Sequence, residues 1–140
     1  MAIKSIVRKL VKKHNTADPF SLANALNVSV LYQPLGNTLG FFIQYKRRKV
    51  IVLNNACPES LLPFVMAHEL GHAVLHPKVN TPFLKKHTLF SVDKIEKEAN
   101  TFAVELLLPD ELFINGDIGI SAMARCCGIP EGMEFLKSNK

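Results

Sequence analysis

His68, Glu69 and His72 form an H-E-x-x-H pattern, the one constellation in this chain whose residue types and spacing carry obvious chemistry. On a helix of about 3.6 residues per turn, positions i and i+4 lie one above the other on a single face. The two imidazoles can then converge on one zinc ion, each at about 2.0–2.1 Å. Glu69, one step further round, sits beside the metal rather than on it, where it can take a proton from a water made acidic by the ion. The chemistry this arrangement points to is metal-assisted hydrolysis.

The setting strengthens the pattern. Phe64, Val65, Met66, Ala67, Leu70, Ala73, Val74 and Leu75 make the surrounding segment apolar nearly all round, the mark of a central, buried helix. Two histidines and a glutamate in such a helix are costly unless something satisfies them. A metal does so; the alternative is core histidines bonded to backbone carbonyls. His76 continues the i, i+4 ladder but lies eight residues from His68, roughly 12 Å along the axis, too far to share an ion. Pro77 should end the helix there, so His76 is expected to face the negative end of the helix dipole or to support a metal-binding histidine from behind.

A catalytic zinc takes three protein ligands and leaves one position open. Position 78, where a third histidine would complete the longer H-E-x-x-H-x-x-G-x-x-H pattern, is lysine. The next candidates are Glu96 and Glu98. Glu96 shares a helical face with Ala99, Asn100 and Ala103, small residues that let another helix approach, whereas Glu98 shares its face with Thr101, Phe102 and Glu105. Glu96 is therefore preferred as the third ligand, with Asn100 as a hydrogen-bonding support for the site. Asp93 with Glu96 also fits a capping box, so an N-terminal capping role competes for the same glutamate. Gly71, which costs about 1 kcal/mol relative to alanine in mid-helix, flanks the histidine face where a crossing helix would press in.

The elements that must position these groups follow in order. Ile3, Ile6, Val7, Leu10 and Val11 at helical spacing, opposed by basic residues, predict an amphipathic helix packed on the core. Asp18-Pro19 reads as a cap and first turn of a short helix to about Ala25, with Asn27 as its stop. Strands are predicted at Val28 to Tyr32, Thr38 to Tyr45 and Lys49 to Leu53, the last two forming an antiparallel hairpin around Lys46 to Arg48. Gly40 is expected to mark a bulge or a close backbone approach, and Pro63 fits the opening turn of the histidine helix. Lys78 to Phe90 reads as a long loop containing His87. A further helix runs from Ser91 or Asp93 to about Leu108. Ile118 to about Cys127 and a last helix with Met133, Phe135 and Leu136 close the chain.

The chain of 140 residues suits a single domain, 1–140, with 110–140 a small C-terminal helical segment. No secretory signal opens it and no apolar run is long enough to span a membrane. Three cysteines, an odd count, read as reduced thiols in a cytoplasmic protein. A net charge of +5 permits contact with nucleic acid without requiring it. The densest basic cluster, Lys46 to Lys49, reads as a solvated turn.

Three blocks carry a likeness to a known family: Ala67-His68-Glu69-Leu70-Gly71-His72 with Leu75-His76, then Ile95 to Ala103, then Leu106-Leu107-Leu108-Pro109. With them the chain resembles the ImmA/IrrE family of metallo-endopeptidases over about residues 15 to 135. The resemblance implies an α+β fold: a small zincin-like domain, mainly helical, with a short three-stranded sheet beside the active-site helix. It implies His68, His72 and Glu96 as zinc ligands and Glu69 as general base, although manganese or iron would accept the same donors. The implied substrate is a protein, a helix-turn-helix transcriptional repressor of a mobile element or stress response. Direct contact with nucleic acid or membrane is not expected. A metal-bearing anti-repressor that sequesters a regulator without cutting it is the alternative. Tyr45 and His87 are candidates for stabilising the oxyanion.

Overall fold

The structure, a computed structural model, describes residues 2–78, 84–85, 93–110 and 119–137. Helix α1 (Ile3–His14) and helix α2 (Pro19–Ala25) lead into strands β1 (Val28–Gln33), β2 (Thr38–Tyr45) and β3 (Arg48–Asn54). Helix α3 (Leu62–Leu75), strand β4 (Leu84–Lys85), helix α4 (Lys94–Leu107), helix α5 (Ile120–Cys126) and a 3-10 turn (Met133–Leu136) complete the order. Among the described residues no helix is long and apolar enough to cross a membrane.

Local chemistry accounts for the element boundaries. Asp18 accepts a hydrogen bond from the Ser21 amide at 2.8 Å, and Pro19 occupies the first turn of α2. A proline loses nothing there, because its missing N–H would lack a helical partner anyway. Asn27 ends that helical stretch in the left-handed region at φ 61°. The β2–β3 hairpin turns on Lys46 and Arg47, both at positive φ, 47° and 73°. A two-residue turn of that hand matches the right-handed twist of the flanking strands.

The sheet order is β1-β3-β2-β4. Strand β1 runs parallel to β3, and β2 pairs antiparallel with both β3 and β4. The register sets Val30, Ile51 and Phe42 side by side on one face, and Ile51 and Phe42 are fully or almost fully buried. Gly40 lies on the same face: a Cβ there would come within 3.1 Å of the Val65 side chain, so α3 lies against the sheet at this point. The register shift between Thr38 and Gly40 opposite β4 adds the expected bulge.

Helix α3 is the axis of the core. Every residue from Phe64 to Ala73 is buried, enclosed between the sheet and α4. Fully burying Phe64, Met66 and Leu70 contributes roughly 1.5–3 kcal/mol each. The same apolar cluster takes Val7 from α1, Leu22 from α2, Phe102 from α4, Ala124 from α5 and Met133 from the 3-10 turn.

The fold is the α+β arrangement expected, with three corrections. Leu84–Lys85, read from sequence as loop, adds a fourth, two-residue strand to the three predicted. Two residues are too few to show a period. The predicted last helix is only the four-residue 3-10 turn; Gly132, at φ 91°, stands immediately before it and interrupts helical backbone. Lys49 is not a solvated turn residue, since its Nζ donates to the Ala73 carbonyl at 3.2 Å, near the end of α3.

Candidate metal centre

Helices α3 and α4 pack closely, and Gly71 is where they touch. A Cβ at that position would lie 3.1 Å from Phe102 Cβ and 3.2 Å from the Ala99 carbonyl oxygen. The absent side chain lets the α4 backbone press against the histidine-bearing side of α3. Two polar faces are thereby brought together inside an apolar core.

His68, His72 and Glu96 meet there. One ligand atom from each lies within 4.8 Å of the others, and all three residues are buried. Glu96 Oε1 lies 2.5 Å from His72 Nε2 and 3.4 Å from His68 Nε2. The geometry brings Glu96, not Glu98, to the two histidines. Asp93 makes no side-chain cap hydrogen bond at the start of α4, so the half of a capping box that Asp93 would supply is not made.

Further side chains contact these three from behind. His68 Nδ1 donates to Asn100 Oδ1 at 2.7 Å, one turn along α4 from Glu96. His72 Nδ1 lies 3.1 Å from His76 Nδ1, and His76 Nε2 lies 2.9 Å from Glu98 Oε1. Asn100 and His76, the two candidates for such support, each lie against a histidine of the cluster. Glu98, considered only as a rival ligand, instead meets His76; its spacing two residues beyond Glu96 gave no sign of that.

Electrostatics sort the carboxylates. Burial would raise the Glu96 carboxyl, but hydrogen bonds and charge from His68 and His72 prevail and hold it at about 2. Glu69, 1% exposed, is pushed by burial up to about 7, with His68 opposing and Glu96 adding to the rise. Burial is the largest influence on both histidines and works against charge: on His68 the nearby carboxylates of Glu96 and Glu69, with Asn100, together outweigh it and the pKa rises, whereas on His72 burial prevails and the pKa falls.

These residues fit a divalent cation. One carboxylate oxygen faces two imidazole nitrogens, and a single proton can bridge only one such pair. His68 Nε2 and both oxygens of Glu69 have no hydrogen-bond partner among the described residues, a costly state for buried polar atoms. A cation between the three donors would engage all of them at once. Two neutral nitrogens and one anionic oxygen suit a borderline ion better than calcium or magnesium, which favour all-oxygen sites.

Of the oxyanion candidates, Tyr45 is 67% exposed at the far end of β2. It alternates away from the helix-facing Phe42, so the structure does not bring it to the cluster. His87 lies outside the described residues.

Residues 23–116 match the family described as the IrrE N-terminal-like domain, the M78 peptidases. The chain is 46% identical over 139 residues to "Uncharacterized immunity region protein 2" of Bacillus phage phi105, covering 96% of this chain and 88% of that protein. It is 30% identical over 110 residues to "Metallopeptidase ImmA" of Bacillus subtilis strain 168, covering 79% of this chain and 65% of that protein.

Proposed function

The chain belongs to the IrrE N-terminal-like family of M78 peptidases, and from that premise we propose that it is a zinc endopeptidase that cuts a protein substrate. The observation that carries the reading is the buried meeting of His68, His72 and Glu96 beside Glu69. Two imidazoles and one carboxylate, with a coordination position left over, form a donor set used by catalytic zinc.

In this reading His68, His72 and Glu96 hold the cation, and Asn100 and His76 hold the imidazoles in place. When bound, the cation polarises the scissile carbonyl and makes the attacking water more acidic. Glu69 takes the proton from that water and delivers it to the departing amine. Its burial, and the lack of a donor to either carboxylate oxygen among the described residues, leave it available for that traffic.

We assign the substrate to the transcriptional repressors of mobile elements, of helix-turn-helix type. The phage relative's name, an immunity region protein, and the ImmA likeness support that class. The three cysteines are free, which accords with work in the cytoplasm, where such a repressor acts.

The test is incubation of the purified protein with a helix-turn-helix repressor of a mobile element, with and without a chelator. New fragments that vanish on chelation support the peptidase. A stable complex without fragments would make the protein an anti-repressor that acts by holding its target. Glu69→Gln should keep the metal and lose at least about 10²-fold in cleavage rate.

A further inference from the structure

We propose that Glu98 acts through His76 to fix the tautomer and strengthen the donor character of His72, making a carboxylate–imidazole–imidazole relay that ends on the metal-binding nitrogen. The inference rests on the reading of His72 as a ligand and deepens it.

Three distances carry the argument: His72 Nε2 to Glu96 Oε1 at 2.5 Å, His72 Nδ1 to His76 Nδ1 at 3.1 Å, and His76 Nε2 to Glu98 Oε1 at 2.9 Å. A neutral imidazole carries one N–H and one lone pair. If His72 offers the lone pair of Nε2 to a cation, its proton must sit on Nδ1. Only one proton fits between two ring nitrogens, so His76 Nδ1 must accept it. His76 then carries its own proton on Nε2, which donates to Glu98, and an ionised carboxylate can only accept. Each proton position follows from the one before. Reversing the chain would place a proton on His72 Nε2, where the cation belongs.

The backbone holds His76 for this purpose. It caps α3 at φ −131°, ψ 51°, outside the helical region, and its own N–H donates to the His72 carbonyl at 2.8 Å. Pro77 disfavours helical backbone at the residue before it, so the ring-bearing residue is turned out just where α3 ends. The His76 side chain is 10% exposed and that of Glu98 35%, so the imidazole is enclosed while the carboxylate stays at the edge of water.

The two cluster histidines are thus supported unequally. His68 leans on the neutral amide of Asn100, whereas His72 has a carboxylate behind its partner. Partners that orient and polarise a metal-binding histidine raise its basicity as a ligand. Glu96 and Glu98, two residues apart on α4, divide the work: one faces the donors directly and the other acts from behind.

Zinc-loaded wild-type protein, labelled with ¹⁵N in its histidines, gives the first readout. Long-range ¹H–¹⁵N spectra should place the His72 proton on Nδ1 and the His76 proton on Nε2. Zinc affinity, measured by competition with a chromophoric chelator, gives the second. Glu98→Ala and His76→Ala should weaken zinc binding by about 10–100-fold. Glu98→Gln, which keeps an accepting oxygen and removes the charge, should weaken it less. Cobalt-substituted Glu98→Gln should show a shifted visible absorption, since the donor strength of His72 changes while the ligand set does not. A His76 proton found on Nδ1, or zinc affinities of the Glu98 variants equal to wild type, would overturn the relay and leave the peptidase reading standing. Wild-type protein that takes up no zinc would overturn both. The spectra need no variant, and Glu98→Gln is near-isosteric at a partly exposed site, so a misfolded His76→Ala would not spare the proposal.

Discussion

His68 Nδ1 and Asn100 Oδ1 lie 2.7 Å apart across 32 residues of sequence. One turn of α4 thus supplies both the carboxylate that faces the two histidines, Glu96, and the amide that orients one of them. Asn100→Ala should cut that tie without disturbing Glu96, and zinc affinity should fall by about 10–100-fold. Competition titration checks it, with circular dichroism confirming that α3 and α4 persist.

Gly71→Val tests the helix contact. The new side chain would meet Phe102 Cβ and the Ala99 carbonyl oxygen. Both atoms are tied to the α4 backbone and cannot swing aside. Overpacking of this kind costs roughly 1–3 kcal/mol, more than valine's modest advantage over glycine in helix propensity returns. Urea unfolding should therefore show a lower midpoint, and zinc uptake should weaken as α4 is displaced. A midpoint equal to or above wild type would show that the contact is looser than described.

Much of this site can be read from residue spacing, and the reasons are local. The i, i+4 histidines follow from helix geometry alone. The small face around Glu96, and a glycine where bulk is excluded, follow from the needs of two backbones in contact. The parallel pairing of β1 with β3 is different, because nothing in either strand names its neighbour and the choice is made by how the helices cover the sheet. The contact between His76 and Glu98 is equally hidden, since it depends on how far α4 has slid along α3. Leu84–Lys85 becomes a strand only because β2 offers it an edge.

A second charge cluster, partly exposed around Asp110, predicts acid sensitivity. Asp110 accepts from Lys137 and from Arg8, with Lys4 3.5 Å away. Burial alone would raise its carboxyl, but Lys137, Arg8 and Lys4 prevail and hold it at about 2. A carboxyl depressed on folding contributes stability that is complete above its unfolded value of about 3.9 and is lost as pH falls through its folded value. Thermal midpoints of wild type and Asp110→Asn should therefore differ at neutral pH and converge from about pH 4 down to about pH 2. A constant gap across that range would assign the effect to something other than this carboxylate.

Metal removal should be visible as lost stability. Zinc held at 100 times its dissociation constant adds about 2.7 kcal/mol to the folded state. For a chain of this size that corresponds to a rise of roughly 5–10 °C in the thermal midpoint over chelated protein. Calorimetry with and without chelator reads it directly. The same rise in a His68→Ala, His72→Ala double variant would mean that the ion binds elsewhere.

The central claim is that His68, His72 and Glu96 together hold one divalent cation, and elemental analysis of purified protein tests it most directly. Wild-type protein, and Glu69→Gln with it, should carry one zinc per chain, whereas His72→Ala and Glu96→Ala should carry essentially none after dialysis. A wild-type protein free of metal after reconstitution with zinc, or a Glu96→Ala variant that keeps its full complement, would contradict the account.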